Sequence, residues 1–368
     1  MTRPLVLVAC LLSVVAGAGA DAAPAPAALQ IGTWSGGPQF DPRTKQFERC
    51  SATQNNGSGT NITFSLDRAF TWGLGFSNPS WTFASGHSLG LILTLGKNDQ
   101  LRQDARVADA NRLELRLEDS MTLFARLRTT AQLRAAAGGL TFSFDMRDNH
   151  EIMSALAQCA LQRSGPPLNP KAKNPPRPSD PLKVLDRSDA VRAEASAIAQ
   201  DVIAYADLRG AQVLTNNQTP DGVLAHAVWT AGHVTGMVSA FLPGQVAGAE
   251  SLAVDLIRHA ATSCQGRLFI AAMPDRIERL TVHRAFTLCQ SEAATASIFQ
   301  TIAPRSSGGF YLLTVMIDRV EYIGAIQGSA EEVDGRVRAV LPSVLGRAAH
   351  RAAAGDATEA PDAEQQPR

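Results

Sequence analysis

The chain has 368 residues, 45% hydrophobic and 18% charged, which is enough for two cored domains and too apolar for a disordered protein. Lys plus Arg and Asp plus Glu both number 34, so no global field draws in nucleic acid, and none is expected as a partner. The basic residues are nearly all Arg and Ala is abundant, a composition that suggests a GC-rich bacterial genome.

Met1-Thr2-Arg3 gives a short positive start, Pro4 to Val15 an apolar run, and Ala16-Gly17-Ala18-Gly19-Ala20 the small residues that a signal peptidase reads. We expect residues 1–22 to be a signal peptide, the protein to be exported to the periplasm or secreted, and the mature chain to lack a transmembrane segment. Leu7-Val8-Ala9-Cys10 also spells a lipoprotein box, but the apolar segment continues past Cys10.

Residues 23–162 read as an α+β domain. Ile62, Phe64 and Leu66, then Phe70, Trp72, Leu74 and Phe76, then Leu113, Leu115 and Leu117, and last Leu140, Phe142, Phe144 and Met146, alternate with polar or small residues as half-buried strands do. One helix follows Asp119-Ser120 and stripes Leu123, Phe124, Leu127 and Ala131. Another follows Asn149 and stripes Ile152, Met153, Leu156, Cys159 and Ala160.

Residues 163–186 are rich in proline and poor in apolar side chains, which makes them the expected linker. A second α+β domain is expected over 187–346. It opens on a helix with Val191, Ile198, Val202 and Tyr205, followed by strands at 211–215 and 223–242 with a turn near Gly232 or Gly236. A helix over 249–263, four strands near 267–273, 279–289, 296–303 and 309–318, and a last helix striped by Val333, Val337, Val340, Leu341 and Val344 complete it. The run 310–317 is apolar on both faces, as for a strand covered on both sides. Consecutive strands with helices at their ends argue an antiparallel α+β fold in both domains. Residues 347–368 read as a disordered tail.

An exported chain meets an oxidising compartment, and four cysteines remain after the signal peptide. With the domain boundary between the second and third, the pairing expected is Cys50–Cys159 and Cys264–Cys289. No Cys/His spacing suggests a metal, and neither metal nor cofactor is expected.

The order helix, strands, helix, strands, helix in the second half resembles the Mog1/PsbP-like α/β/α sandwich. Cys264-Gln265-Gly266-Arg267-Leu268 and Gly308-Gly309-Phe310-Tyr311 are similar to uncharacterised exported bacterial domains. The resemblance implies architecture only and carries no catalytic residues with it.

Two motifs raise the question of catalysis. Gly86-His87-Ser88-Leu89-Gly90 spells the nucleophile elbow of serine hydrolases, which needs a strand ending at the serine and a helix directly after it. Here Leu89, Leu91, Leu93 and Leu95 alternate like a strand, so Ser88 is expected at a strand start, on the face opposite Leu89 and Leu91. Thr230-Ala231-Gly232-His233 with Ser306-Ser307-Gly308-Gly309 resembles parts of a trypsin-like protease, with His233 as base and Ser307 as nucleophile. Arg305-Ser306 stands where that family has Gly-Asp. Three histidines (His226, His233 and His283) have no metal-ligand spacing. Trp72 and Trp81, flanking a short loop, would be the place for a sugar platform, though core or edge positions explain Trp34, Trp72, Trp81 and Trp229.

The reading is a non-catalytic binding or assembly module acting on an envelope protein or ligand. The alternative is a secreted serine hydrolase or protease using Ser88 or His233/Ser307.

Overall fold

In Ile62-Thr63-Phe64-Ser65-Leu66 every second side chain is large and apolar, so a strand formed there has one face to bury. Ten strands with such a face assemble into one antiparallel sheet. The computed structural model describes residues 28–117, 121–164, 181–215, 225–292, 295–319 and 330–358. The expected signal peptide, Cys10 and most of the Pro-rich segment lie outside them.

The first sheet comprises β1 (Leu29–Ile31), β2 (Trp34–Phe40), β3 (Phe47–Asn55), β4 (Asn61–Asp67), β5 (Trp72–Ser77), β6 (Ser88–Leu95), β7 (Asp99–Asp109), β8 (Arg112–Arg116), β9 (Gln132–Ala137) and β10 (Leu140–Asp145). Their order is β1-β2-β3-β4-β5-β8-β7-β6-β9-β10. Two helices, α1 (Met121–Thr129) and α2 (Asn149–Ser164), pack on each other, and α2 lies over β1 to β4. Trp34, Phe64, Trp72 and Phe124 form a chain of ring contacts in the layer beneath, all fully buried. The Cys50–Cys159 disulfide pins α2 to β3.

The strand expected from Phe70 starts instead at Trp72. Asp67 Oδ1 accepts the amides of Ala69 and Thr71, both at 2.9 Å, and Phe70 is turned to φ 63° between them. That Asx-type turn interrupts the alternation. Likewise α1 stops at Thr129 and leaves Ala131 exposed.

The second sheet follows α3 (Asp189–Tyr205) and contains β11 (Gln212–Val213), β12 (Ala227–Ala231) and β13 (Val234–Phe241). Then come α4 (Ala249–Ala261), β14 (Arg267–Ile277), β15 (Leu280–Gln290), β16 (Thr295–Pro304), β17 (Phe310–Arg319) and α5 (Ala330–Thr358). Its seven antiparallel strands run β11-β12-β13-β17-β16-β15-β14, so β17, apolar on both faces, is the middle strand. The turn after β12 is at Gly232, at φ 61°, and not at Gly236, which lies inside β13 under the Trp229 ring. Helices α3 and α5 pack together on the sheet, α4 packs on β14 to β16, and Arg284 to Leu288 are buried at every position. The Cys264–Cys289 disulfide ties the segment after α4 to β15.

Helix α5 runs to Thr358, past position 347 where a disordered tail was expected to begin. The reason is specific pairing. Ala348 is buried, Arg347 lies over the Tyr205 ring, and Arg351 meets Asp201 of α3 at 2.7 Å. Tyr205, expected on the buried stripe, is exposed at this contact.

One continuous cluster of buried apolar side chains includes residues of both sheets. The indole Nε1 of Trp72 donates to Ile270 O at 2.7 Å, and Phe124 meets Phe286 edge-on.

Candidate functional site

Over the middle of β3, β4 and β5 the outward face of the first sheet carries small residues where surface strands usually carry long charged ones. Register aligns them into rungs. Ser35, Thr53, Thr63, Gly75, Glu114, Arg106 and Ser88 face each other across seven neighbouring strands. The adjacent rung is Gly37, Ser51, Ser65, Gly73 and Arg116.

Gly73 and Gly75 leave β5 with no outward side chain before Ser77 at its end, while β4 and β8 on either side carry Thr63, Ser65, Glu114 and Arg116. The result is a trough of about 380 Å³ with a hydroxyl-lined floor. That volume falls within the ~300–1,000 Å³ of small-ligand sites. A Cβ on Gly73 would come 2.6 Å from Ser65 Oγ, so glycine sets the depth at that point. The packed aromatic layer beneath makes the floor rigid, which favours precise recognition.

Hydrogen bonds fix the walls. Gln39 Nε2 donates to Ser51 Oγ at 2.7 Å, and Arg49 Nε donates to Gln39 Oε1 at 2.9 Å. The Thr53 and Thr63 hydroxyls are bonded at 2.8 Å. Arg112 bridges Asp109 and Glu114 at 3.3 and 3.2 Å. Asp67 closes one end. Burial raises its carboxyl above the ordinary 3.8, against the opposing pull of the Thr71 and Ala69 amides and the Arg116 charge.

The two carboxylates of the groove, Asp67 and Glu114, are two strands apart and offset by four positions along them. Strand spacing and rise put them roughly 16 Å apart, beyond the ~5–9.5 Å separation used by paired catalytic carboxylates in glycoside hydrolysis.

Ser88 opens β6 and is exposed, with Arg106 and then Glu114 as its rung neighbours. A strand follows it where the elbow requires a helix. His233 is exposed in the β12–β13 turn, and Ser307 is exposed in the β16–β17 turn. Val234 pairs with Ile317 and Phe241 with Phe310, so those turns sit at opposite ends of the sheet. The separation is roughly 25 Å by strand rise. The structure therefore does not bring His233 and Ser307 together.

His226, buried beside β13, accepts the Ala240 amide at Nδ1, while His283 lies on β15, four strands from β12. Among the described residues no group of three or more His, Cys, Asp or Glu is placed to hold a metal. All four tryptophans are buried, which removes Trp72 and Trp81 from any exposed platform.

Two further polar clusters are structural ties. Arg284 joins Asp334 of α5, and Arg338 reaches Asp275 at 2.8 Å. Burial raises the Asp334 carboxyl above 3.8 in spite of Arg284. Glu194 of α3 takes a two-pronged Arg305 at 3.0 and 2.7 Å and the Tyr311 hydroxyl. Burial pushes Glu194 up, but Arg305 and Tyr311 outweigh it and hold the carboxyl below its ordinary 4.5.

Sequence reasoning missed the groove. Its signal was present in Thr63, Ser65, Gly73, Gly75 and Ser77, the outward alternants of two strands, which are all small and uncharged. Among the described residues no helix is long and apolar enough to cross a membrane.

The chain matches no family model and no curated protein. Among solved structures, invasion associated protein B from Bartonella henselae aligns over 36% of this chain and 96% of its own, with 12% identity and a TM-score of 0.27. A likeness at that level leaves fold and function to be argued from this chain's own residues.

Proposed function

We propose that the chain is an exported periplasmic or cell-envelope protein, built of two α+β halves joined through the Pro-rich segment, that binds a ligand or partner without transforming it. The observation that carries this reading is the rigid, hydroxyl-floored groove on β3, β4, β5 and β8. Export is supported by the signal-like residues 1–22 and by two disulfides, which persist in oxidising compartments. The helices covering the second sheet support the Mog1/PsbP-like reading of that half at the level of architecture.

Two measurements test the proposal. Purified protein treated with a fluorophosphonate probe is expected to remain unlabelled; stoichiometric labelling abolished by Ser88→Ala or Ser307→Ala would establish the hydrolase instead. Immobilised protein is expected to retain an envelope component that the Gly75→Val protein does not retain. Equal retention by both would remove the groove from the account.

A further inference from the structure

From the same groove, and resting on its being a binding site, we infer the chemical class of its occupant: a saccharide bearing an anionic group.

The first consideration is which atoms the floor offers. The groove lies on the face of a sheet, where β3, β4, β5 and β8 spend their amides and carbonyls on one another. An extended peptide therefore finds no strand edge to extend, the usual source of its affinity. What remains for a ligand are side-chain hydroxyls, from Ser51, Thr53, Thr63 and Ser65. Each hydroxyl donates and accepts, which matches a ligand that is itself covered in hydroxyls.

The second consideration is charge. The whole chain balances at 34 basic and 34 acidic residues. The outward face from β2 to β9 leans basic: register places Arg49, Arg102, Arg106, Arg112, Arg116 and Arg134 on it, against Asp67, Asp104, Asp109 and Glu114. Every basic group there is an arginine, whose planar fork pairs with carboxylate or phosphate oxygens in two-point fashion. Arg49, Arg112 and Arg116 line the groove itself, against Asp67 and Glu114.

The third is that no tryptophan offers a ring face to the groove. The tryptophans are buried in the core, so the groove offers hydrogen bonds and charge where neutral-sugar sites offer aromatic faces. Affinity then depends on the anionic group.

The test uses the mature full-length protein and calorimetric titration with three probes: tri-galacturonate, neutral galactotriose, and glucose 6-phosphate. Two glycine variants frame it. A Cβ on Gly75 meets only ordinary contacts at 3.7–3.9 Å, so Gly75→Val fills the trough without disturbing the fold. Gly90 is on the same sheet face with open space around it, so Gly90→Val serves as the control.

Binding of tri-galacturonate or glucose 6-phosphate at least tenfold tighter than galactotriose is expected. Whichever anion binds identifies carboxylate or phosphate as its source. That binding should weaken tenfold or more in Gly75→Val, several-fold in Arg49→Gln and Arg116→Gln, and with added salt, and should be unchanged in Gly90→Val. Equal binding of galactotriose, lost in Gly75→Val, would overturn the anionic class and leave the groove standing. Anion binding unchanged in Gly75→Val would overturn the groove as its location. No binding of either anionic probe would overturn the inference.

Discussion

The amide of Ala272 donates to the carbonyl of Phe70 at 2.8 Å, so the outermost strand of the second sheet is closed by a loop of the first. Thr71 Oγ1 donates to Ala272 O at 3.2 Å and Trp72 Nε1 to Ile270 O at 2.7 Å. An open strand edge invites pairing with other chains. Here the turn that starts β5, the floor strand of the groove, covers part of that edge.

Trp72→Phe keeps most of the buried ring and removes only its donor. A buried carbonyl left without its partner costs about 1–3 kcal/mol. Urea unfolding followed by fluorescence and by far-UV circular dichroism is expected to show this loss. Both probes should still report one coincident transition, because the buried cluster is shared. Two separated transitions in the wild-type protein would show that the halves unfold independently.

The disulfides should differ in weight. Cys50–Cys159 closes 109 residues and Cys264–Cys289 closes 25. Chain-entropy arithmetic gives about 4.8 and 3.5 kcal/mol. Replacing each pair by alanines and measuring unfolding free energy is expected to cost more for the first pair. The reverse order would contradict an unfolded-state origin.

Much of the scaffold was legible because burial on one face writes a period of two or 3.6. Leu113, Leu115 and Leu117, the stripe of α2, and the doubly apolar 310–317 all announced their surroundings. The disulfide pairing followed from the even cysteine count and the boundary expected at the Pro-rich segment. The groove was not legible in the same way. It exists only because Thr53, Thr63, Gly75 and Glu114, from four strands, share one rung. That rung depends on β5 pairing with β8 across two intervening strands, β6 and β7. No local pattern encodes such a choice. The helical continuation beyond position 347 was hidden for a related reason, since Arg347 and Arg351 acquire meaning only beside Tyr205 and Asp201.

The Glu194 cluster predicts an acid-sensitive contribution to stability. Its carboxyl is held below 4.5 in the folded chain, so the stabilisation is fully present above that value and is lost as pH falls through the lowered folded one. Glu194→Gln should be less stable than wild type near neutrality, and the gap should narrow on going to about pH 3. Chemical denaturation across that range checks it. A gap independent of pH would show that the carboxylate charge contributes nothing.

The buried charges between α5 and the second sheet predict a large effect from a single change. Arg284→Met strands Asp334, which is 7% exposed, while Asp275 keeps Arg338 at 2.8 Å. Breaking a buried pair from one side costs about 3–5 kcal/mol. Adding Asp334→Leu to Arg284→Met should recover a substantial part of the loss, measured as the midpoint of thermal unfolding. No recovery would locate the cost in packing and not in charge.

The central claim is that the trough over β4 and β5 is occupied in the protein's working environment. The direct measurement is thiol labelling of the mature protein, whose four cysteines are paired, comparing Thr63→Cys on the groove floor with Gly90→Cys on the same sheet face outside it. With envelope extract added, maleimide labelling is expected to slow at Thr63→Cys and to stay constant at Gly90→Cys. Equal rates with and without extract at both positions, or equal slowing at both, would contradict the account.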